Sequence, residues 1–335
     1  MKVWFYCILT IVLIASCSAP VTEKTQGTVS LTKYAVGFRL YDRVDSIELS
    51  IDGQHFTFAK ATKNNFIISS STQLTFLKEL GELKNIIGLI DANIFLDTAL
   101  HKEKLLDFKS AAAPDWEALF KYNKSIVLGY KHFSLHKGSA NHMDLTVVPV
   151  NEYLEEHPLG KAEWIKVLGA LSGKYEQADS LFTLIEQRYN AVKATAKPNG
   201  AKVIAGEYYR DSWSVPGSAS YVALMVKDAG GEYLVKNSES TLPMNREAFA
   251  VLLKEAVYWR KLTPMDWRAT ELTRAEVQVQ FDVYPTQLKG ILYCDVNQNA
   301  YFENALLHPD LELEDMISAL NGGEGKHFYR VIKVD

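Results

Sequence analysis

Four short segments carry the side chains best suited to gripping a small molecule. Ser69-Ser70-Ser71-Thr72 sets four hydroxyls between an apolar run and a helical pattern. Hydroxyls and free amides at a helix start can hold an anionic group, and Ser71 or Thr72 is expected to cap that helix. Ser70, Ser71 and Thr72 are therefore candidate ligand contacts. Tyr130 and His132, with Lys131 and Phe133, follow the apolar run at Val127. Tyr209, Arg210 and Trp213 combine aromatic faces with a guanidinium, a set that suits a large planar or anionic metal complex. Asn297 and Tyr301 follow the apolar run ending at Cys294. All four places are loops beyond the carboxyl ends of expected strands, where two-lobed α/β proteins bind ligands.

Other chemistries are poorly served. Asp295-Val-Asn297-Gln-Asn299 begins like a calcium loop, but Ala300 and Leu306 stand where that loop needs glycine and glutamate. His132, His136 and His142 match no compact zinc spacing, so no metal site is assigned; His132 alone could ligate a haem iron or line a cleft. Cys294 lies in an apolar run and reads as a small buried hydrophobe. There is no Gly-x-Ser-x-Gly, His-Glu-x-x-His, phosphate loop or dinucleotide-binding glycine pattern. No catalytic residue, no enzyme activity and no resident cofactor are expected.

The chain ends and composition narrow the class further. Lys2 is followed by the apolar run Val3 to Ala15, too short to span a bilayer, which needs about 20 apolar residues. A basic start, an apolar stretch and a small-residue exit make a secretory signal. Leu13-Ile-Ala-Ser-Cys17 resembles the bacterial lipobox, which implies cleavage before Cys17 and lipid on its sulfur. With Cys7 in the signal and Cys17 acylated, Cys294 is left without a disulfide partner. The exported chain, about 320 residues long, must then be held by its core; 47% hydrophobic residues can supply one. A net charge of −4 argues against nucleic acid.

The elements that must position these loops are legible as patterns. Ile47, Leu49 and Ile51 alternate with polar residues, Asp52-Gly53 supplies a tight turn, and Phe56 and Phe58 alternate again, which predicts a hairpin. From Phe66 to Val150 short apolar runs alternate with helical stretches, as crossover units do. From Trp164 to Val192 apolar residues recur at threes and fours, a single helical stripe with a break near Ser172-Gly173. Strand and helix patterns then resume to the end. The expected class is α/β: two lobes, each a sheet flanked by helices, joined by a long rigid helix, with an N-terminal β-hairpin extension. The expected division is a signal peptide at 1–16, a tether at 17–27, an N-terminal lobe at 28–158, connecting helices at 159–197 and a C-terminal lobe at 198–335.

Several of these words, in this order, resemble the periplasmic binding proteins of iron-siderophore and cobalamin ABC importers. They are Tyr153-Leu-Glu-Glu-His-Pro-Leu-Gly-Lys-Ala-Glu-Trp164, Trp213-Ser-Val-Pro-Gly-Ser218 with Asp228-Ala-Gly-Gly231, and Tyr301-Phe-Glu303 with His308-Pro-Asp310 and Phe328-Tyr329. The resemblance covers about Lys60 to Lys333, and the hairpin resembles an extension in one lipoprotein branch. It implies a ligand held between lobes that move little, because the connector is a packed helix. It implies a monomer anchored to a membrane in the cell envelope, facing the periplasm or the exterior. Its partners would be an ABC permease and ATPase complex, and its cargo a metal chelate: ferric siderophore first, cobalamin or haem next. Glu117 and Glu247 match the family's two permease-docking glutamates. The chain departs from the pattern at Lys121-Tyr-Asn-Lys124, at Tyr301-Phe302 and at Lys131-His-Phe-Ser-Leu-His136, all of which bear on the ligand more than on the fold. A surface lipoprotein using the same fold for sequestration, sensing or a structural role without import remains the alternative.

Overall fold

The computed structural model describes residues 30–334 apart from 96, 98, 132–144, 210, 211, 263–286, 297 and 299. The expected signal, tether and lipidated Cys17 therefore lie outside the described residues, as do His132, Arg210 and Asn297.

The N-terminal strands β1 (Phe38–Asp42), β2 (Ser46–Ile51) and β3 (Gln54–Ala59) form an antiparallel sheet. Ile51 pairs with Gln54 across the two-residue turn, and Asp52 and Gly53 have φ of 47° and 74°. Left-handed backbone at both central positions gives the turn whose twist matches the strands it joins. The predicted hairpin is β2–β3; β1 adds a third strand. Its buried face, with Phe38, Leu40, Ile47, Leu49 and Ile51, joins the main core.

The next sheet consists of β4 (Phe66–Ile68), β5 (Ile86–Leu89), β6 (Leu106–Asp107), β9 (Ile126–Gly129) and β10 (Thr146–Pro149), in the order β10-β9-β4-β5-β6. All its pairings are parallel. A short hairpin, β7 (Lys109–Ser110) and β8 (Ala113–Pro114), lies between β6 and α2 (Trp116–Lys121); α1 (Ser71–Glu79) links β4 to β5. Every residue of β4 and β9 is buried, as expected of a sheet covered on both faces. The chain builds outward from β4 through β5 and β6, then returns to lay β9 on the other side of β4. That reversal opens a crevice beyond the carboxyl ends of β4 and β9.

Three helices lead away from this sheet: α3 (Pro158–Glu163), α4 (Ile165–Ser172) and α5 (Tyr175–Lys193). His157 caps α3 by accepting the Leu159 amide at 3.0 Å, and Pro158 occupies the first turn, where its missing N–H costs nothing. All eight residues of α4 are buried. Gly173 ends α4 at φ 69°, and a Cβ there would lie 2.3 Å from the Thr62 carbonyl oxygen. Only glycine satisfies both demands. The nineteen-residue α5 buries Ala178, Phe182, Ile185 and Tyr189 along one stripe.

The second large sheet contains β11 (Lys202–Ala205), β14 (Glu232–Tyr233), β16 (Tyr258–Leu262), β17 (Gly290–Cys294) and β18 (Arg330–Lys333), ordered β14-β11-β16-β17-β18. Only β18 runs antiparallel to its neighbour. Flanking helices are α6 (Tyr221–Asp228), α7 (Arg246–Glu255), the short α8 (Tyr301–Asn304) and α9 (Pro309–Leu320). A small antiparallel sheet of β12 (Glu207–Tyr209), β13 (Ser212–Val215) and β15 (Leu242–Met244) branches from β11. The fold is α/β with parallel sheets flanked by helices.

Two buried carboxylates fasten the N-terminal sheet to the helical connector. Glu163 accepts the backbone amides of Lys33, Tyr34 and Ala35 at 2.7 to 2.8 Å. Glu155 accepts those of Val36 and Gly37 and the Trp164 indole N–H, each at 2.9 Å. Gly37 is required by contact: a Cβ would meet the Trp164 ring at 2.9 Å. Lys166 balances Glu163 at 3.2 Å and reaches Asp179 at 2.9 Å. Replacing Glu163 by Ala would strand three amides and unbalance a buried lysine. The expected loss is about 3–5 kcal/mol, measured by urea unfolding, with early proteolysis ahead of residue 60. A loss below about 1 kcal/mol would show that the clasp contributes little.

Candidate functional site

The crevice beyond β4 and β9 opens into a cavity of about 720 Å³ between the two halves of the molecule. One wall is Ser69 to Thr72 and the exposed side of α1, with Tyr130, Glu152 and Tyr153. The opposite wall is the segment after β17, including Val296, Phe302, Leu307 and His308. Ser70, Ser71, Thr72 and Tyr130 are thus brought together at one site by the parallel sheet that ends beneath them.

Their hydroxyls are already ordered. Ser70, not Ser71 or Thr72, is the helix cap, with Oγ accepting the Thr72 amide at 3.2 Å. The backbone at Ser70 is still extended while Ser71 is already helical, which makes Ser70 the residue whose side chain can turn back onto the first turn. Tyr130 donates its hydroxyl to Ser70 Oγ at 2.7 Å, Ser70 Oγ lies 2.7 Å from Thr72 Oγ1, and Thr72 donates to Glu152 Oε1 at 2.6 Å. Because Thr72 donates onward and Ser70 accepts from Tyr130, the proton between them belongs to Ser70. The chain of donors runs one way, into Glu152. That carboxyl is 2% exposed, and its other oxygen has no hydrogen-bond partner. Burial pushes the Glu152 pKa up to about 7, and burial together with the nearby Glu152 charge pushes Tyr130 up to about 12.

A smaller cavity of about 130 Å³ shares Thr72, Glu152, Tyr153 and Phe302 with the larger one and forms an alcove in its floor. Lys161, Tyr221, Tyr301 and Glu312 complete its lining. Glu312 accepts hydroxyls from Tyr301 and Tyr329 at 2.7 Å and also from Tyr221. Arg260 donates to Tyr329 at 2.7 Å and to Tyr301 at 3.0 Å. Tyr301 therefore sits in the alcove wall with its hydroxyl engaged in this network, and burial raises its pKa.

The remaining expected contacts stand elsewhere. Trp213 is corrected: it is 2% exposed, stacked on Phe249 at 4.1 Å and 2°, edge-on to Trp259, and lines neither cavity. Pairing of β13 with both β12 and β15 turns its ring into the core of the second half. Tyr209 ends β12. Glu117 is exposed in the first turn of α2 and pairs with Lys121 at 3.2 Å; Glu247 is exposed in the first turn of α7. Glu152, Tyr153, Lys161 and Phe302 were missed as site residues. Glu152 follows β10 as Tyr130 follows β9, so the rule that selected Tyr130 also reaches it. Among the described residues no cluster of three His, Cys, Asp or Glu side chains is placed to hold a metal ion, and no helix is long and apolar enough to cross a membrane.

The raised Glu152 pKa has a signed consequence for stability. Between the ordinary carboxylate value and about pH 7 the folded chain holds a proton that the unfolded chain releases. Stability therefore falls as pH rises through that window. Glu152→Gln removes the effect, and relative to wild type it should gain on the order of 2–3 kcal/mol between pH 4 and pH 8. Denaturation at a series of pH values measures this; parallel pH profiles for the two proteins would contradict it.

No family model matches the sequence. The chain is 24% identical over 299 residues to an uncharacterised lipoprotein of Methanocaldococcus jannaschii, covering 83% of this chain and 70% of that protein. Among solved structures it is similar to a periplasmic catecholate-siderophore binding protein of Vibrio cholerae, with a TM-score of 0.61 and 11% identity, covering 81% of this chain and 99% of that one. It is also similar to a periplasmic heme binding protein of Vibrio cholerae, with a TM-score of 0.57 and 14% identity over 75% of this chain and 97% of that one. Two sheets, a helical connector and a cleft at the strand ends thus give this chain the fold of the periplasmic substrate-binding proteins.

Proposed function

We propose that this protein captures a metal chelate, in first place a ferric siderophore, in the cleft between its halves and delivers it to an ABC permease. The observation that carries this reading is the cleft itself. It lies at the switch point of a parallel sheet, is bounded by a polar hydroxyl wall on one side and Phe302 and Leu307 on the other, and is large enough for a drug-sized ligand. Tyr130 and Tyr153 meet edge to face at 5.0 Å on its wall, and Tyr153 and Phe302 are 48% and 41% exposed. Exposed aromatic faces beside hydroxyls suit a ligand with flat aromatic or conjugated arms around a polar centre. The siderophore- and heme-binding neighbours support the same class of cargo. No catalytic arrangement is needed for such a role, and the chain acts as a binding protein.

The lipoprotein relative supports an anchor at Cys17 and a place in the cell envelope. Glu117 and Glu247 dock the two halves on the permease, where complementary rim charges set orientation and on-rate. The lobes move little, since α4 is buried along its whole length.

Three outcomes are expected. Calorimetric titration with ferric catecholates should give micromolar or tighter binding, on the order of −8 kcal/mol, with haem weaker; heat-silent titrations with both classes would reject the assignment. Cys17→Ala should move the protein from the detergent-rich to the aqueous phase, or leave it unprocessed, and unchanged partitioning would speak against the anchor. Glu117→Ala with Glu247→Ala should keep chelate affinity and lose most transport in reconstituted vesicles; full transport by the double variant would remove the docking role.

A further inference from the structure

Within the chelate reading, the alcove in the cleft floor specifies one chemical feature of the cargo. Lys161 stands on α3, at the junction of the two halves, and lines the alcove. Its ammonium lies over the Tyr221 ring, 4.3 Å from the centroid. It makes no hydrogen bond, and no carboxylate comes within ion-pair distance of it, among the described residues. Nearby acids are otherwise engaged: Glu312 accepts three tyrosine hydroxyls, and Glu155 accepts two amides and an indole. Facing Lys161 across the alcove is Glu152, whose Oε2 is buried and has no partner. An orphaned buried carboxyl oxygen is costly unless a donor or acceptor completes it, and the Glu152 side chain shares one small cavity with a half-buried ammonium that has no anionic partner among the described residues.

We infer that the alcove receives a single carboxylate arm of the bound chelate, one oxygen on the Lys161 ammonium and the other accepting a hydrogen bond from protonated Glu152. A carboxylate offers two acceptor oxygens, and the alcove offers one cation and one acid donor. One net positive charge meets one negative charge. A phosphate would bring a second charge for which no free cation is present in the lining. The alcove is also too small for a whole chelate, so the carboxylate is a pendant arm whose metal centre remains in the larger cavity.

Charge balance makes this capture proton-linked. Glu152 is faced by Lys161 from α3, by Thr72 from α1 and by Tyr130 beyond β9. Lys161 is faced by Glu312 from α9, Arg260 from β16 and Glu155. Burial lowers the Lys161 pKa and raises that of Glu152 to about 7. An incoming anion holds Lys161 charged and Glu152 protonated, so binding takes up a proton near neutral pH and weakens as the pH rises above it.

The test pairs ferric citrate, which is rich in carboxylates, with ferric desferrioxamine B, a hydroxamate chelate without one, titrated by calorimetry at pH 6 and pH 8. Wild-type protein is expected to prefer ferric citrate at pH 6 and to lose affinity for it at pH 8. Lys161→Met should weaken ferric citrate roughly 10- to 100-fold, the usual range for a hydrogen bond to a charged group, and leave the hydroxamate complex unchanged. Lys161→Gln serves as a second variant of different shape. Glu152→Gln keeps a donor without the titration, so its citrate affinity should be flat between the two pH values. If wild type binds the hydroxamate as well as or better than citrate, or if both Lys161 variants bind citrate normally, the carboxylate inference is overturned and chelate capture stands. Failure of both chelates to bind wild type overturns this inference, and chelate capture falls with it only when ferric catecholates and haem are heat-silent as well.

Discussion

The seating of the N-terminal sheet on the helical connector depends on the way Glu155 and Glu163 hold the start of the folded chain. Between them they take the backbone amides of five consecutive residues, Lys33 to Gly37, and the indole of Trp164. Buried carboxylates tolerate such a place only when their lone pairs are filled. Here the donors are backbone groups that would themselves be stranded without them. The arrangement turns the start of the folded chain into part of the connector. Phe38 packs edge-on to Trp164 at 4.9 Å as a consequence, and α3 is fixed between the two sheets. Lys161 and the cleft floor inherit that rigidity.

The N-terminal sheet also reaches the cleft from its far end. Asp52, in the tight turn, accepts from the Asn151 amide at 2.9 Å and faces Lys131 at 3.4 Å, while Asn151 accepts the Lys131 backbone amide at 2.8 Å. Asn151 directly precedes Glu152, and Lys131 directly follows Tyr130. The same extension therefore steadies both ends of the hydroxyl chain that runs from Tyr130 to Glu152. A preordered polar wall costs little to reorganise when a ligand arrives, which favours affinity over motion.

Much of this is legible in the sequence, and the exceptions have physical causes. Asp52-Gly53 between alternating strands signals its turn, because few residue pairs tolerate two left-handed positions. The α5 stripe is equally plain, since the helix buries one face. Strand β16 is hidden: its Tyr-Trp-Arg-Lys-Leu run places two charges in the interior. Arg260 is matched there by Tyr301, Tyr329 and Glu312, and Lys261 by Glu207 at 3.4 Å. Partners distant in the chain leave no local trace. Trp213 misleads for the opposite reason: an aromatic beside an arginine looks like a ligand face, yet its stacking partner Phe249 lies on a helix thirty-odd positions away. Ser70, Thr72 and Tyr130 could be placed in advance because strand ends mark themselves. Lys161 could not, because its importance comes from what fails to pair with it.

The metal chelate is proposed to sit in the cleft between the halves. Anomalous scattering at the iron edge, from a crystal of the protein saturated with a bound ferric chelate, locates the metal directly. One iron is expected within the larger cavity, between Tyr130 and Tyr153 on one wall and Phe302 on the other. An iron bound at any other surface, with this cleft filled by water alone, would contradict it.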